Sequence, residues 1–269
     1  MINDPILAVA VRAARRAGSI IIDAARDLKR LAAHANEHGE IASAANADAE
    51  KAIIATLRAA YPAHAIFGEE AGKSPPPAGA PIAYRWIVDP LDGAANFVHG
   101  FPHYAVSVAL THGPDITHAV VHDPLHDELF MAIRGKGVQL NGAPIRVSAC
   151  TSLERALVGT VFPSRASPKM PIYLPVFNAL ITRCAGIRRA GACALDLAYL
   201  AAGRLDGFWV MSHKPGDVAA GALIVHEAGG RVGDFAGDGD FLRTNEVIAA
   251  APGIFNLLRE TIVGALPPR

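Results

Sequence analysis

Two aspartates follow a run of apolar residues in the segment WIVDPLDGAANFVHGFP, which covers residues 86–102. The apolar run is predicted to be a buried strand, after which Pro90 fixes the backbone and Gly93 allows close approach to a ligand before a short helical turn. Asp89 and Asp92 would repel each other unless a cation lay between them. The free amide groups of the following turn favour an anion. The segment therefore predicts a site for a metal ion and a phosphate group.

Two other segments supply carboxylates in a similar setting. Glu69 and Glu70 follow the apolar residues 65–67, and Asp217 stands where a helix N-cap is predicted in the stretch KPGDVAAGALIVHEAGG. Magnesium prefers oxygen ligands, whereas zinc and copper favour sites that include histidine or cysteine. The sequence thus predicts an all-oxygen magnesium site. Its candidate ligands are Glu69, Asp89, the carbonyl group of Leu91, Asp92 and Asp217.

The three segments resemble the motifs of the inositol monophosphatase family, which read approximately G-E-E, then W-I-x-D-P-[IL]-D-G-T-x-N-F, then W-D-x-A-A-G followed by E-A-G-G. The resemblance extends over nearly the whole chain. It implies an α/β fold, more closely an α+β layered sandwich of the αβαβα type shared with fructose-1,6-bisphosphatase. It also implies a lithium-sensitive, magnesium-dependent phosphomonoesterase that acts on a small phosphorylated polyol or sugar and forms a homodimer.

The resemblance assigns roles to individual positions. It places the metal ligands on the five residues already named, for on the order of two or three Mg²⁺ ions, which Mn²⁺ can replace. The catalytic positions would be Glu69 and Asp92. The substrate contacts would be Leu91, Gly93, Ala94, Ala95, Cys193 and Asp217.

Several of these residues have a simpler structural explanation. Asp89 could be a turn residue before a proline, and Asp217 could be only a helix cap. Glu70 could support the ligands from outside or have a purely structural role. Cys193 could be no more than a small buried residue. The metal site is favoured because these alternatives do not explain why the carboxylates occur together as a set.

The chain departs from the family pattern where the attacking water would be activated. Ala94 stands in place of the threonine of D-G-T, and Asn46 stands in place of the aspartate that pairs with that threonine in relatives. An amide can accept a hydrogen bond but cannot take up a proton, and a methyl group can do neither. A contribution of roughly a hundredfold from general-base catalysis is therefore expected to be missing.

A second departure concerns substrate recognition. Val210 occupies the position of a glutamate that accepts a ring hydroxyl in relatives that bind inositol, and Gly216 replaces the tryptophan before the third-motif aspartate. We expect Val210 to face the substrate and Gly216 to enlarge that wall of the pocket. The loss of a buried acceptor weakens discrimination between polyols. A preference for inositol 1-phosphate is therefore not expected.

The composition predicts one domain without a charged binding surface. The chain has 269 residues, of which 51% are hydrophobic and 19% charged, and its formal net charge is zero. We predict a single domain over residues 1–269 with two intimately packed halves, about 1–150 and 151–269. The zero net charge argues against direct nucleic-acid binding.

No signal peptide or membrane span is predicted, which favours a cytoplasmic protein. Three cysteines without C-x-x-C spacing indicate neither disulfides nor zinc.

Periodicity predicts the elements that position the site. Helices are expected from Pro5, at about 42–61 and at about 254–262. Strands are expected at 105–111, 116–122 and 128–133 and would form an antiparallel meander. The proline-rich stretch 75–81 is predicted to be a surface loop that could gate the site.

Three histidines, His118, His122 and His126, recur at intervals of four residues. On a strand this period places His118 and His122 on one face, about 13 Å apart. No single metal ion spans that distance, so we expect these histidines to be surface residues.

Two functions from different classes remain open. The first is a magnesium-dependent phosphatase. The second is a catalytically weakened paralogue that keeps the fold and the metal site and acts as a regulatory or interaction protein. The altered positions 46, 94, 210 and 216 favour the second function, and the intact set of carboxylates favours the first.

Overall fold

The computed structural model describes residues 4–30, 35–69, 73–74, 83–163, 167–237 and 239–267. Glu70 and the whole of the predicted gating loop at 75–81 lie outside these residues. The first part of the chain contains α1 (Pro5–Arg30), α2 (Ala35–Ala60), β1 (Ala65–Phe67), β2 (Lys73–Ser74), β3 (Tyr84–Asp92), α3 (Ala94–His99), β4 (Ala105–His112), β5 (Asp115–Asp123), β6 (Glu128–Ile133), β7 (Gly137–Leu140) and β8 (Ala143–Pro144).

The remaining elements begin with a 3₁₀ turn at Leu153–Arg155. They continue with β9 (Leu157–Val161), α4 (Met170–Ile181), β10 (Gly186–Arg188), α5 (Cys193–Ala201), β11 (Gly207–Met211), α6 (Pro215–Glu227), β12 (Arg231–Gly233), α7 (Phe241–Thr244), β13 (Glu246–Ala250) and α8 (Phe255–Gly264).

The first sheet has eight strands in the order β2-β1-β3-β4-β5-β6-β7-β8. All neighbours are antiparallel except β1 and β3, which are parallel. Side chains of β3 alternate between its two faces, so that Trp86 and Val88 pack with α1 and α2 while Ile87 packs with α5 and α6. Both faces of this sheet are therefore covered by helices.

The second sheet has five strands in the order β10-β9-β11-β13-β12. Phe208 and Val210 of β11 belong to the cluster with α5 and α6, whereas Trp209 and Met211 pack with α4 and α8. Helices α5 and α6 thus lie between the two sheets. The layers alternate as helix, sheet, helix, sheet and helix, which confirms the predicted αβαβα sandwich.

The predicted meander is confirmed, since β4, β5 and β6 pair in antiparallel succession. Helix α1 begins as expected, because the Asp4 carboxylate accepts hydrogen bonds from the amide groups of Ile6 and Leu7. Helix α2 begins earlier than the predicted residue 42, and α8 ends two residues later than predicted. Within the described residues, no helix is both long and apolar enough to cross a membrane.

The prediction that His118, His122 and His126 lie at the surface is wrong for the first two, which are on β5. The exposed fraction is 9% for His118 and 5% for His122, because α1 packs across this face of β5. A Cβ atom at Gly18 of α1 would lie 2.7 Å from Nδ1 of His122, so glycine is needed for this close packing. His126 lies beyond the strand and is exposed.

Candidate metal and phosphate site

The end of β3 carries two aspartates, Asp89 and Asp92, that are both buried. In a regular strand, residues three positions apart point to opposite faces. The pairing of β3 with β4 is irregular between these two residues, and such irregularities redirect side chains. The amide group of Leu91 within this irregular stretch donates a hydrogen bond to Oδ1 of Asp89 at 3.0 Å.

Asp92 caps a helix that belongs to the second half of the chain. Its Oδ1 accepts a hydrogen bond from the amide group of Cys193 at 3.1 Å, and its Oδ2 accepts one from Ala194 at 2.7 Å. The N-cap residue of α5 is Ala192, which has no side-chain acceptor of its own. Asp92 therefore supplies the missing cap, and Cys193 contributes its backbone while its thiol group is buried.

Asp217 lies in the first turn of α6 and is not the N-cap that the sequence predicted. Lys214 is the N-cap, and its amide group donates to Oδ2 of Asp217 at 2.8 Å. The cause is Pro215, which has a φ angle suited to the first helical position and so starts the helix two residues before the aspartate. Asp217 thus belongs to a capping box, as Glu or Gln commonly does at this position.

Gly216 brings α6 close to β3, which differs from the expected enlargement of the pocket wall. A Cβ atom at Gly216 would lie 3.2 Å from Cβ of Asp89 and 3.2 Å from the carbonyl oxygen of Val88. The hydroxyl group of Ser107 donates to the carbonyl oxygen of Gly216 at 3.0 Å. The glycine therefore allows the start of α6 to pack directly on the strand that carries Asp89.

Glu69 follows β1, the parallel neighbour of β3, and borders the same cleft as Asp89 and Asp217. Its Oε1 atom lies 2.5 Å from Nζ of Lys214, so that a lysine supplies the positive charge beside this carboxylate. The cleft has a volume of about 110 Å³. Its lining includes Phe67, Glu69, Asp89, Lys214, Gly216 and Asp217.

The carboxylates raise one another's proton affinity. Burial raises the pKa of Asp89 well above its usual value, and the charges of Asp92, Glu69 and Asp217 raise it further. Burial likewise raises the pKa of Asp92, and the charge of Asp217 adds to this effect. Burial also raises the pKa of Asp217. This arrangement opposes ionisation of the three aspartates. A bound cation would act in the opposite direction and favour their charged form.

The oxygen atoms of the candidate ligands are of the chemical type that a hard divalent cation prefers. In the part of the chain that the structure describes, no three Asp, Glu, His or Cys side chains are placed so that together they could hold a metal ion. The acidic groups nevertheless meet at one place, and each is an oxygen donor of the kind that magnesium prefers. Glu69, Asp89, Asp92 and Asp217, with the carbonyl group of Leu91, are therefore the residues that could hold magnesium.

Three of the predicted substrate contacts, Gly93, Ala94 and Ala95, lie at the start of the short helix α3, whereas Leu91, Cys193 and Asp217 lie on β3, α5 and α6. Gly93 has a φ angle of 91°, which favours glycine, and a Cβ atom there would lie 2.9 Å from the carbonyl oxygen of His103. Ala94 and Ala95 are exposed in the first turn. Asn46 is buried on α2, which packs against α3.

Val210 does not line the cleft as expected. It is 2% exposed and packs in the core cluster with α5 and α6. Strand β11 is buried on both faces, so a side chain on either face of this strand packs into a hydrophobic core.

The structure adds a polar network that the sequence did not reveal. Asn96 donates through Nδ2 to the carbonyl oxygens of His103 and Ala190, each at 2.7 Å. Nε2 of His103 lies 2.9 Å from Oδ1 of Asp196 on α5. Burial raises the pKa of Asp196, and the hydrogen bond from His103 acts against this rise. The sequence offers one indication of this network, namely a single aspartate in the otherwise apolar helix CALDLAYLA.

Comparisons with known proteins agree with this architecture. The chain is 46% identical to Nus factor SuhB of Pseudomonas aeruginosa over 266 residues, which cover 98% of each chain. It is 42% identical to Nus factor SuhB of Escherichia coli over 253 residues, which cover 93% of this chain and 92% of the relative.

Solved structures with the same fold include the extragenic suppressor protein suhB of Bartonella henselae. That structure has a TM-score of 0.87 and 37% identity and covers 96% of this chain and 98% of its own. The structure of inositol monophosphatase from Anabaena has a TM-score of 0.84 and 32% identity, and it covers 97% of this chain and 96% of its own. The model of the inositol monophosphatase family matches residues 2–265. The chain therefore belongs to the inositol monophosphatase family.

Proposed function

We propose that this protein is a magnesium-dependent phosphomonoesterase that hydrolyses small phosphorylated polyols or sugars. The observation that carries the proposal is the meeting of three acidic positions, Glu69, Asp89 and Asp217, at one cleft in a member of this family. Asp92, the fourth carboxylate, raises the pKa of Asp89 by its charge and so acts on the same site.

In this proposal the carboxylates divide between neighbouring ions. Glu69, Asp89 and the Leu91 carbonyl would hold one ion, and Asp89, Asp92 and Asp217 would hold another. When bound, magnesium lowers the pKa of a coordinated water and stabilises the charge on the leaving oxygen.

The protein's own groups would fix the reactants. The α5 amide groups hold the Asp92 carboxylate through both oxygens, so its remaining lone pairs have a defined direction. The backbone at Gly93, Ala94 and Ala95 would receive the phosphate group. Lys214 adds a positive charge beside Glu69, which would attract an anionic substrate but compete with a cation at that carboxylate.

A screen of phosphatase activity tests the proposal. The purified protein is assayed with magnesium or manganese against inositol 1-phosphate, 2-glycerophosphate, fructose 1,6-bisphosphate and adenosine bisphosphate. We expect metal-dependent release of phosphate that Asp92→Asn abolishes and that Asp48→Asn, a change at an exposed carboxylate on α2, leaves intact. Absence of metal-dependent release from every substrate would contradict the proposal.

A second candidate is a regulatory protein with weakened turnover. Two observations favour it, namely the altered pair Asn46 and Ala94 and the name Nus factor SuhB that relatives carry. In this case the protein would bind magnesium without useful phosphatase activity. Calorimetric titration with magnesium beside the activity screen separates the two functions, since binding without turnover favours the regulatory role.

The proposal extends to further properties that family membership alone supports. These are inhibition by lithium, replacement of magnesium by manganese, a homodimeric assembly and a cytoplasmic location. Lithium inhibition is read from the same phosphatase assay, and the assembly is read from sedimentation of the purified protein.

A further inference from the structure

The first turn of α5 is held by the first half of the chain at two separate points. Asp92 accepts hydrogen bonds from the amide groups of Cys193 and Ala194. His103 contacts the Asp196 carboxylate, one turn further along the same helix. Both holding groups come from one short segment, which leaves β3 at Asp92, forms α3 and reaches His103 before β4.

A hydrogen bond within this segment joins its middle to its end. The Asn96 side chain in α3 binds the carbonyl oxygen of His103, and it also binds that of Ala190 in the approach to α5. The carbonyl group of His103 in turn lies where a Cβ atom of Gly93 would collide with it. A shift of His103 would therefore be transmitted to Gly93 and to the neighbouring Asp92.

The His103–Asp196 contact is buried and directional. The exposed fraction of the side chain is 9% for His103 and 2% for Asp196. The imidazole ring also meets the ring of Tyr199 edge-on, with 5.6 Å between the centroids. Tyr199 lies three residues after Asp196 and hence on the same face of α5. An ionised carboxylate can only accept, so Nε2 of His103 is the donor.

The second oxygen of Asp196 makes the pair costly for folding. Oδ2 is buried and has no hydrogen-bond partner within the described residues. A buried carboxylate with an unpaired oxygen weakens folding, and an apolar residue at this position would avoid the loss. Stability alone therefore does not account for this aspartate in a helix whose other buried residues are apolar.

We propose that His103 and Asp196 are positioning residues for Asp92: they fix the first turn of α5 so that its amide groups direct the Asp92 carboxylate toward the metal. This inference rests on the proposed function, because it assigns a purpose to the same site. Residues that orient a metal ligand from outside typically change metal affinity by about 10- to 100-fold when they are replaced.

Paired substitutions separate positioning from packing. Asp196→Asn keeps an acceptor and His103→Gln keeps a donor, so both should bind magnesium within about threefold of the unmodified protein. Asp196→Leu and His103→Leu break the contact and should raise the magnesium Kd at least roughly tenfold.

The double variant His103→Leu with Asp196→Leu is the decisive protein. Apolar replacement of both members of a buried pair commonly preserves stability, so we expect it to remain folded. Its magnesium Kd should nevertheless rise at least roughly tenfold. Asp4→Asn removes a carboxylate 3.4 Å from the buried His118 at the start of α1, and this control should leave the Kd unchanged.

Two readouts in the same experiment distinguish this inference from the proposed function. Magnesium Kd is measured by calorimetry, and hydrogen exchange is measured at the amide groups of Cys193 and Ala194 without metal. We expect exchange at least roughly tenfold faster in the double variant, because the first turn of α5 loses one of the two contacts that hold it and so opens more often. If the double variant does not fold, Asp196→Asn and Asp196→Leu provide the same comparison.

Unchanged exchange would overturn the inference whether or not magnesium binds. Accelerated exchange with a magnesium Kd within twofold of the unmodified protein would overturn it as well, because α5 would then have no influence on Asp92. If the unmodified protein itself binds no magnesium, the proposed metal site fails. Exchange then decides whether the pair fixes α5.

Discussion

Two neutral side chains occupy the positions that the family resemblance assigns to a water-activating threonine and aspartate. Ala94 is exposed at the start of α3, and Asn46 is buried on α2, the helix that packs against α3. The carboxylates that we propose as metal ligands are all retained. This combination predicts an enzyme that can bind metal and substrate but removes a proton from water inefficiently.

Restoring both groups should raise the rate. We expect Asn46→Asp combined with Ala94→Thr to increase kcat at least roughly tenfold with little change in KM, because a general base acts in the transition state. Each single change should give less than the double change. Steady-state kinetics at saturating magnesium measure the effect, and an unchanged or lower kcat would show that the water is activated by another group.

The sequence predicted which carboxylates lie near one another more reliably than it predicted their surroundings. Asp89, Asp92 and Asp217 could be recognised because they directly border predicted elements. The place of Asp217 within α6 could not be read correctly, since Pro215 shifts the helix start. Asp196 stands out in the sequence only as a single acidic residue in an apolar helix, and its contact with His103, 93 residues away in the chain, could not be predicted.

The strands and helices around the site explain both the successful and the failed predictions. Apolar periodicity shows where a strand runs, and the β4–β6 meander was predicted correctly for that reason. Periodicity does not show which element covers a given face. His118 and His122 share a face as predicted, but α1 covers that face. Val210 is buried for the same kind of reason, because α5 and α6 pack on its face of β11.

The burial of Val210 changes what its replacement should do. Val210→Glu would place an unpaired carboxylate in an apolar cluster and should lower the free energy of unfolding by about 3 kcal/mol. The matched change Val263→Glu, at a position 40% exposed on α8, should alter it by less than about 0.5 kcal/mol. Urea denaturation provides both values. Full stability together with a new preference for inositol 1-phosphate would mean that this side chain borders the substrate.

The molecule as a whole contains several histidines whose pKa is lowered by folding. Burial is the largest cause of a lowered pKa at His64, His118, His122 and His213. In the unfolded chain these groups titrate near pH 6.5. Below that pH the unfolded state binds more protons at these positions than the folded state does, so the contribution of the histidines to stability falls as the pH falls.

We therefore expect these histidines to contribute a fall in melting temperature as the pH is lowered from about 6.5 to about 5, against an opposite contribution from the buried aspartates Asp89 and Asp92, whose pKa is raised in the folded state. His122→Gln should make this fall less steep, because one buried group no longer takes up a proton on unfolding. His126→Gln, at an exposed neighbour, should leave the slope unchanged. Scanning calorimetry across this pH range provides the slopes. Equal slopes in the three proteins would show that His122 does not contribute to the pH dependence.

The candidate metal site also joins the two halves of the chain. Glu69, Asp89 and Asp92 come from the first half, and Asp217 comes from the second. Folding must bring these negative charges together, and their mutual repulsion opposes the packing of α6 against β3. A cation bound between them would remove this repulsion only in the folded state, so it would stabilise the whole molecule.

Magnesium at about a hundred times its Kd should therefore add about 2.7 kcal/mol to the free energy of unfolding. For a protein of this size that corresponds to a rise of roughly 5 to 10 °C in melting temperature. Sodium chloride at equal ionic strength should have a smaller effect, because screening alone acts weakly on buried groups. Asp92→Asn should abolish the specific rise, and Asp48→Asn should retain it. If millimolar magnesium leaves the melting temperature unchanged, these carboxylates do not form a metal site in the free protein.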